Sequence, residues 1–359
     1  MTTSPVILVT GASGVVGSAL LRHLSGPPGG GRVISLAHRR PVAGEVVRGD
    51  ITRPWLGLSP GDYRDLTAAT DVVVHCAALV HFSATARSLH RMNVRGTGHV
   101  LRFVEDAGAR LVHGSTAFVT RTRPEATSSA YAGSKADSET LVTESGLPAA
   151  VARISTVIGD ARTGTVARLQ AFHYLVGMAM WGRLPFLPCA ETTLIDMVPT
   201  DVVAAALAAL ARDGSARGKY WITAGPAALP MSRVVDTGCD IALELMAEAG
   251  TAPPDVGLRK LQPRLVDPAL YDAVVAGVLS AAQGASPGPD AGDDGVPPSA
   301  LRHVTGLLAS YNGVAPFPTS LGTIPGGPPA LAESAADSAL RATYRYLGAI
   351  PRETWTLGW

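Results

Sequence analysis

The segment Gly11-Ala12-Ser13-Gly14-Val15-Val16-Gly17 does most to fix what this chain can fold into. It follows Val6-Ile7-Leu8-Val9, a short apolar run that reads as a buried parallel strand. It opens the apolar helical stretch Val15–Leu24. The first glycine permits positive φ at the turn, the second lets backbone approach a phosphate, and the third lets the helix lie close to the strand. A helix N-terminus offers N–H donors and a positive dipole end to a pyrophosphate. Strand, glycine turn and helix in this order predict an α/β fold, a doubly wound parallel sheet that grips a dinucleotide.

The next strand, Arg32–Ala37, ends in His38-Arg39-Arg40. A site for NAD wants a carboxylate there, bonded to the ribose 2′-hydroxyl. Two guanidiniums stand in its place and suit a 2′-phosphate, so NADP(H) is the expected cofactor. A solvated basic turn is the other reading of the same residues. Past a third strand at Glu45–Val47, Asp50 and Ile51 are placed to frame the adenine. Asp71–Ala78 is a further buried strand that runs into Ala77 and Ala78, small residues that let backbone lie against the cofactor. Asn93-Val94-Arg95-Gly96-Thr97 opens a helix, and Arg110–Thr116 is a strand ending in the hydroxyls of Ser115 and Thr116.

Tyr131 and Lys135 lie four residues apart, hence on one face of a helix. A free tyrosine has a pKa of about 10, and an adjacent ammonium moves the phenol toward working range. A hydroxyl from Thr116 or Ser115 would polarise the substrate oxygen from the other side. Lysine occurs only at Lys135, Lys219 and Lys260, so a lysine kept here carries more weight than in a lysine-rich chain. A chance pair on an exposed helix is the alternative. The preceding glycine turn and hydroxyl-ended strand count against it.

In this order, GASGVVG, HCAA, NVRGT, GST and YAGSK resemble the extended short-chain dehydrogenase/reductase family. Gly49–Ser59, Leu79–Phe82, Arg153–Gly159 and Asp196–Val203 are similar to stretches of its thioester-reductase and fatty acyl-CoA reductase branch, the male-sterility type. The resemblance covers about residues 5–225. It implies a catalytic trio of Thr116, Tyr131 and Lys135, with Ser115 as the competing hydroxyl and Asn93 joining the proton relay. It also implies pyrophosphate contacts from Gly11, Gly14 and Gly17 and adenine contacts from Asp50 and Ile51. The implied reaction is NADPH-dependent reduction of an acyl thioester to an aldehyde, or further to an alcohol. Its substrate would be held on coenzyme A or on a carrier protein acting in trans. The short stretch between Thr116 and Tyr131 departs from the family pattern, with Arg121, Arg123 and Glu125 crowding it. A small or differently shaped lid beside the nicotinamide is therefore expected.

Net charge is +1 and only 16% of residues are charged, which gives no electrostatic case for nucleic acid or an anionic membrane. Cys76, Cys189 and Cys239 lack metal-ligand spacing and read as thiols in a reducing cytoplasm. The chain enters a strand almost at once, so no secretory signal is expected. Leu169–Leu187, broken by glycines, Arg183 and Pro185, is read as a helix and loop rather than a transmembrane segment. Its Phe172, Tyr174, Met178, Met180, Trp181 and Phe186 line an acyl pocket or simply fill a core. These readings give an NADP-binding Rossmann domain over 1–228, with substrate-pocket insertions at about 160–200. A smaller, mainly helical C-terminal region follows over 229–359, with a flexible loop at 284–298. A homodimer is compatible with this plan. Two other functions stay open: a hydroxysteroid-type or sugar-nucleotide oxidoreductase or epimerase, and a non-catalytic NADP-binding regulator.

Overall fold

A computed structural model describes residues 4–26, 31–80, 84–121, 129–180, 184, 186–250, 262–271, 306 and 308–351. Strands β1 (Ile7–Thr10), β2 (Val33–Ala37), β3 (Glu45–Arg48), β4 (Val72–His75), β5 (Arg110–Thr116) and β6 (Ala149–Ile154) join an edge strand, Gly218–Ile222, in one seven-stranded sheet. From that edge inward the order is β6, β5, β4, β1, β2, β3, and every neighbouring pair is parallel. The chain winds outward from β1 through β2 to β3, then crosses back to β4. A crevice therefore opens at the carboxyl ends of β1 and β4, where such sheets bind ligands.

Alternation along the central strands sends successive side chains to opposite faces. Ile7, Val9, Val72, Val74 and Val112 meet α1 (Val15–Ser25) and the alanine-rich helix Thr200–Arg212 on one face. Leu8, Val73 and Leu111 meet Val100, Phe103 and Val104 on the other. Both faces being covered explains why β1 and β4 are buried at every position and apolar up to their last residues, Thr10 and His75, rather than alternating with polar residues.

A second apolar core lies beyond the sheet. It joins Phe172, Leu175 and Met178 of the helix Ala171–Met180 to Val234 and Ile241 of Met231–Glu248 and to Leu340, Tyr344 and Leu347 of Glu333–Ala349. The insertion expected as helix and loop also contains short strands. Phe186–Pro188 pairs with Arg264–Val266, Leu194–Ile195 with Leu229–Pro230, and Met197–Pro199 with Thr156–Ile158. Each partner is distant in sequence or too short to leave a periodic signal. Residues past 228 also return to the sheet: Ser320 N–H donates to the Trp221 carbonyl at 2.8 Å, and Leu321 and Ile324 join the first core. The loop read at 284–298 lies outside the described residues. Among the described residues, no helix is long and apolar enough to cross a membrane.

Candidate active site

The glycine turn closes on itself at the crevice. Gly11 has φ +71°, and a Cβ there would lie 2.5 Å from the Ala77 nitrogen. A Cβ on Gly17 would collide with the Gly11 carbonyl. Gly14 donates its N–H to that carbonyl at 2.9 Å and caps α1 without a side chain of its own. No acid occupies the first turn of α1, so its N–H groups remain suited to an anion. Ala12 and Val15 are buried beneath the turn; Ser13 and Val16 are half-buried. A cradle that any side chain would fill fits a dinucleotide pyrophosphate.

His38, Arg39 and Arg40 are exposed at the end of β2. His38 Nδ1 lies 3.7 Å from Asp50 Oδ2, and Asp50 Oδ1 accepts from the Thr52 N–H and hydroxyl at 2.9 and 2.8 Å. Burial pushes the Asp50 carboxyl up, but the Thr52 bonds, with His38 and Arg53 nearby, hold it below its ordinary value. Ile51 is buried and its carbonyl accepts from His99 Nδ1 at 2.8 Å. Behind Asp50 runs a left-handed turn, with φ of 53° at Trp55, 55° at Leu56 and 70° at Gly57. Two non-glycine residues in that region cost about 1–2 kcal/mol each. The turn places the Leu56 carbonyl 2.6 Å from the Asp50 nitrogen and buries Leu56 completely. The segment lies within Gly49–Ser59, which the sequence marked by resemblance, but its left-handed backbone left no sign in the residue types of Trp55 and Leu56.

Ser115, Thr116, Tyr131 and Lys135 all line one cavity of about 170 Å³, together with Val16, Cys76 and Ala78. Thr116 Oγ1 donates to the Ile154 carbonyl and accepts from Phe118 N–H, both at 3.3 Å, long for hydrogen bonds. Lys135 is 2% exposed, and burial lowers its ammonium to about 8. Burial pushes the Tyr131 phenol upward instead of toward neutrality, because the phenolate would be removed from water. Tyr131 is therefore held as an acid, the form that gives a proton to a substrate oxygen.

Asn93 is buried within the π-helical turn His90–Arg95. Its Oδ1 accepts the Leu79 N–H at 2.7 Å, while Nδ2 donates to the Leu79 carbonyl and the Ser134 hydroxyl at 3.1 and 2.9 Å. The side chain thus bolts the cavity-rim loop to the helix Ser129–Glu144 that carries Tyr131 and Lys135.

Two buried histidines lie beneath the cavity, their rings 5.4 Å apart. Thr97 gives its proton to the Asn93 carbonyl at 2.6 Å, so His75 must donate from Nε2 to Thr97 at 3.2 Å. Nδ1 of His75 then accepts from Thr10 at 2.7 Å, and Thr10 accepts from the Ala77 N–H at 3.3 Å. This chain ties the glycine turn to the β4 exit with His75 neutral. Burial lowers His75 to about 3, His173 to about 4 and His113 well below its usual value. Unfolding lets all three bind protons near pH 6.5, so the unfolded state is the more protonated one below that pH. Thermal denaturation at stepped pH is expected to show stability present above about 6.5 and progressively lost toward 4. A melting temperature flat across that window would contradict the neutral, buried assignment.

Of the three residues expected to crowd the stretch beside the nicotinamide, Arg121 is the one described. It turns to the C-terminal segment, where its guanidinium lies 3.4 Å from the Phe317 ring centre and its Nη2 donates to the Ala315 carbonyl at 2.5 Å. Arg123 and Glu125 lie outside the described residues. The same segment contributes Ser310 to the cavity wall, which Val80, Phe118, Ser155, Thr156, Gln170 and Phe172 complete. Tyr311 fastens it by donating to the Asp196 carbonyl at 2.9 Å, and Thr156 lies 2.6 Å from its phenol. Among the candidate acyl-pocket residues, Phe172 lines this cavity, Met180 lines a smaller apolar one and Met178 belongs to the core. Phe186 is exposed, and Trp181 lies outside the described residues.

A family described as Male sterility protein, an NAD-binding type, matches residues 43–207. Glycine betaine reductase ATRR of Emericella nidulans is 30% identical over 186 residues, 46% of this chain and 14% of that protein. Hybrid PKS-NRPS synthetase poxE of Penicillium oxalicum is 29% identical over 234 residues, 56% of this chain and 6% of that protein. The chain thus spans a small part of these relatives' length. Among solved structures, the terminal R domain from the myxalamid PKS-NRPS biosynthetic pathway superposes with a TM-score of 0.67 at 23% identity. That likeness covers 96% of this chain and 90% of the other, and it carries the fold.

Proposed function

We propose, for a chain whose residues 43–207 match the male-sterility type of NAD-binding family, the NADPH-dependent reduction of an acyl thioester to an aldehyde. The reading rests on one observation above the others: Thr116, Tyr131 and Lys135 converge on a single cavity at the carboxyl end of the sheet. A relative at 30% identity is a glycine betaine reductase, in agreement with this reading.

Bound nicotinamide would supply the hydride. Gly11, Gly14 and Gly17 would hold the pyrophosphate against the start of α1, and Asp50 and Ile51 the adenosine. Thr116 would turn its proton from the Ile154 carbonyl to the thioester oxygen, and Tyr131 would give its proton to the same oxygen as charge develops there. Lys135 would orient the ribose and offset the charge left on Tyr131. Val80, Phe118 and Phe172 would lie along the acyl group and keep water off the reacting carbon. Collapse of the resulting hemithioacetal releases the thiol and the aldehyde, and a second reduction would give the alcohol. The acyl group would arrive on coenzyme A or on a carrier protein.

Arg39 and Arg40 carry the choice of NADPH over NADH in this reading. Replacing both by alanine is expected to raise the NADPH dissociation constant roughly 10–100-fold, the loss of charged bonds to a phosphate. NADH binding should change little. Equal loss for both nucleotides, measured by fluorescence titration, would remove the arginines from the 2′-phosphate site.

Purified protein supplied with NADPH and a short acyl-CoA, with a hydrazine to trap aldehyde, tests the reaction itself. Trapped aldehyde in step with NADPH consumption is the expected result. Consumption only with ketosteroids or sugar nucleotides would transfer the chain to another branch of the extended short-chain enzymes.

A further inference from the structure

Glu139 lies one helical turn beyond Lys135, is 4% exposed and is held by groups from two strands. Its Oε1 accepts the Ser115 proton at 2.6 Å. Its Oε2 accepts from Arg153 Nη2 at 2.7 Å, and Arg153 Nε reaches the two oxygens at 3.1 and 3.2 Å. Arg153 stands on β6 with its guanidinium 4.9 Å from the Trp221 ring centre. The carboxylate therefore connects the end of β5, β6 and the Tyr131/Lys135 helix directly beside the cavity.

A hydroxyl has a single proton to give. The Ser115 proton is committed to a carboxylate by a short, charge-assisted bond, which leaves its oxygen only as an acceptor. The Thr116 proton rests on a neutral carbonyl at 3.3 Å, a weak bond that a substrate oxygen can replace. On the other side, the titratable groups around Lys135 are Tyr131 on the same cavity, Cys76 at the β4 exit, Glu139 one turn along its own helix, and His75 and His113 on β4 and β5. Burial holds the two histidines neutral and pushes the Cys76 thiol up to about 12, so neither element supplies a negative charge near pH 7. Glu139 supplies it, shared with Arg153.

We propose that Glu139 is a positioning residue for the proton relay: it takes the Ser115 proton, leaving Thr116 as the hydroxyl donor, and its charge keeps Lys135 an ammonium. The claim rests on the reductase reading for its substrate but concerns groups that can be titrated without turnover. Competitive acetylation with trace acetic anhydride, read by mass spectrometry across pH, follows Lys135 directly. Glu139→Gln is expected to lower the Lys135 midpoint by about one pH unit, and Arg153→Met, which leaves the carboxylate unshared, to raise it. A brace with no electrical role would shift neither midpoint or shift both in the same direction, and either result overturns the proposal. Should Glu139→Gln fail to fold, the direction of the Arg153→Met shift decides alone.

Turnover of a short acyl-CoA then separates the hydroxyls. Ser115→Ala is expected to cost about 5-fold and Thr116→Ala more than about 100-fold. Equal losses would overturn the assignment of Thr116. No turnover of any thioester by the unaltered protein would sink the reductase reading, while the acetylation result would still stand for or against Glu139.

Discussion

Replacing Tyr131 by phenylalanine is expected to cut turnover by about 10³-fold while the NADPH dissociation constant stays within about twofold. Removal of a positioned proton donor commonly costs 10²–10⁴-fold, or about 3–5 kcal/mol of barrier. The middle of that range applies because Thr116 and Ser115 line the same cavity and leave a hydroxyl near the substrate oxygen when the phenol is gone. Phenylalanine keeps the ring and its packing, so the nucleotide cradle on the far side of Lys135 is undisturbed. Single-turnover kinetics with saturating NADPH measure the first quantity and fluorescence titration the second. A non-catalytic NADP-binding regulator would lose neither property. Loss of nucleotide affinity in proportion to turnover would assign Tyr131 to binding instead.

Gly17→Val is expected to abolish NADPH binding, raising the dissociation constant more than about 100-fold. The branched side chain meets the Gly11 carbonyl and the Ala12 backbone rather than a flexible neighbour. The turn can yield only by moving Gly11, where even an added Cβ would lie 2.5 Å from the Ala77 nitrogen at the β4 exit. Overpacking in a close-fitted interior costs about 1–3 kcal/mol and here displaces the N–H groups proposed to hold the pyrophosphate. Gly98, with open space where its Cβ would point, is the control: Gly98→Ala should bind NADPH normally. Calorimetric titration of the two variants checks the pair. Retained affinity in Gly17→Val would show that the turn does not hold the phosphates.

The parts of this fold that could be read beforehand are those whose residue types are dictated within a few positions. Gly11, Gly14 and Gly17 are set by local backbone geometry, and β1 and β4 declare themselves as apolar runs up to Thr10 and His75 because both faces are covered. Tyr131 and Lys135 share a helix, so their spacing alone brings them together. The rest depends on partners far along the chain. The edge strand Gly218–Ile222 is short and half-exposed, and its pairing with β6 left no mark in its own residues. Ser310 reaches the cavity only because Tyr311, Phe317 and Arg121 pin a motif-free segment in place. Phe172 and Met178 have the same apolar character, sit on one helix and both join the second core, yet only Phe172 also lines the cavity. Composition cannot separate them. Tyr131 was expected to be drawn toward neutrality by its lysine; burial, which spacing does not reveal, pushes it the other way.

The central claim is that this chain moves hydride from NADPH to the carbonyl carbon of an acyl thioester. Its most direct test is to supply NADPH deuterated at nicotinamide C4, in each diastereomer, with an acyl-CoA and to analyse the trapped aldehyde by mass spectrometry. The account predicts one deuterium at aldehyde C1 from one diastereomer and none from the other, with the signal lost in Tyr131→Phe. Unlabelled aldehyde, or no aldehyde from any thioester while the nucleotide still binds, would contradict it.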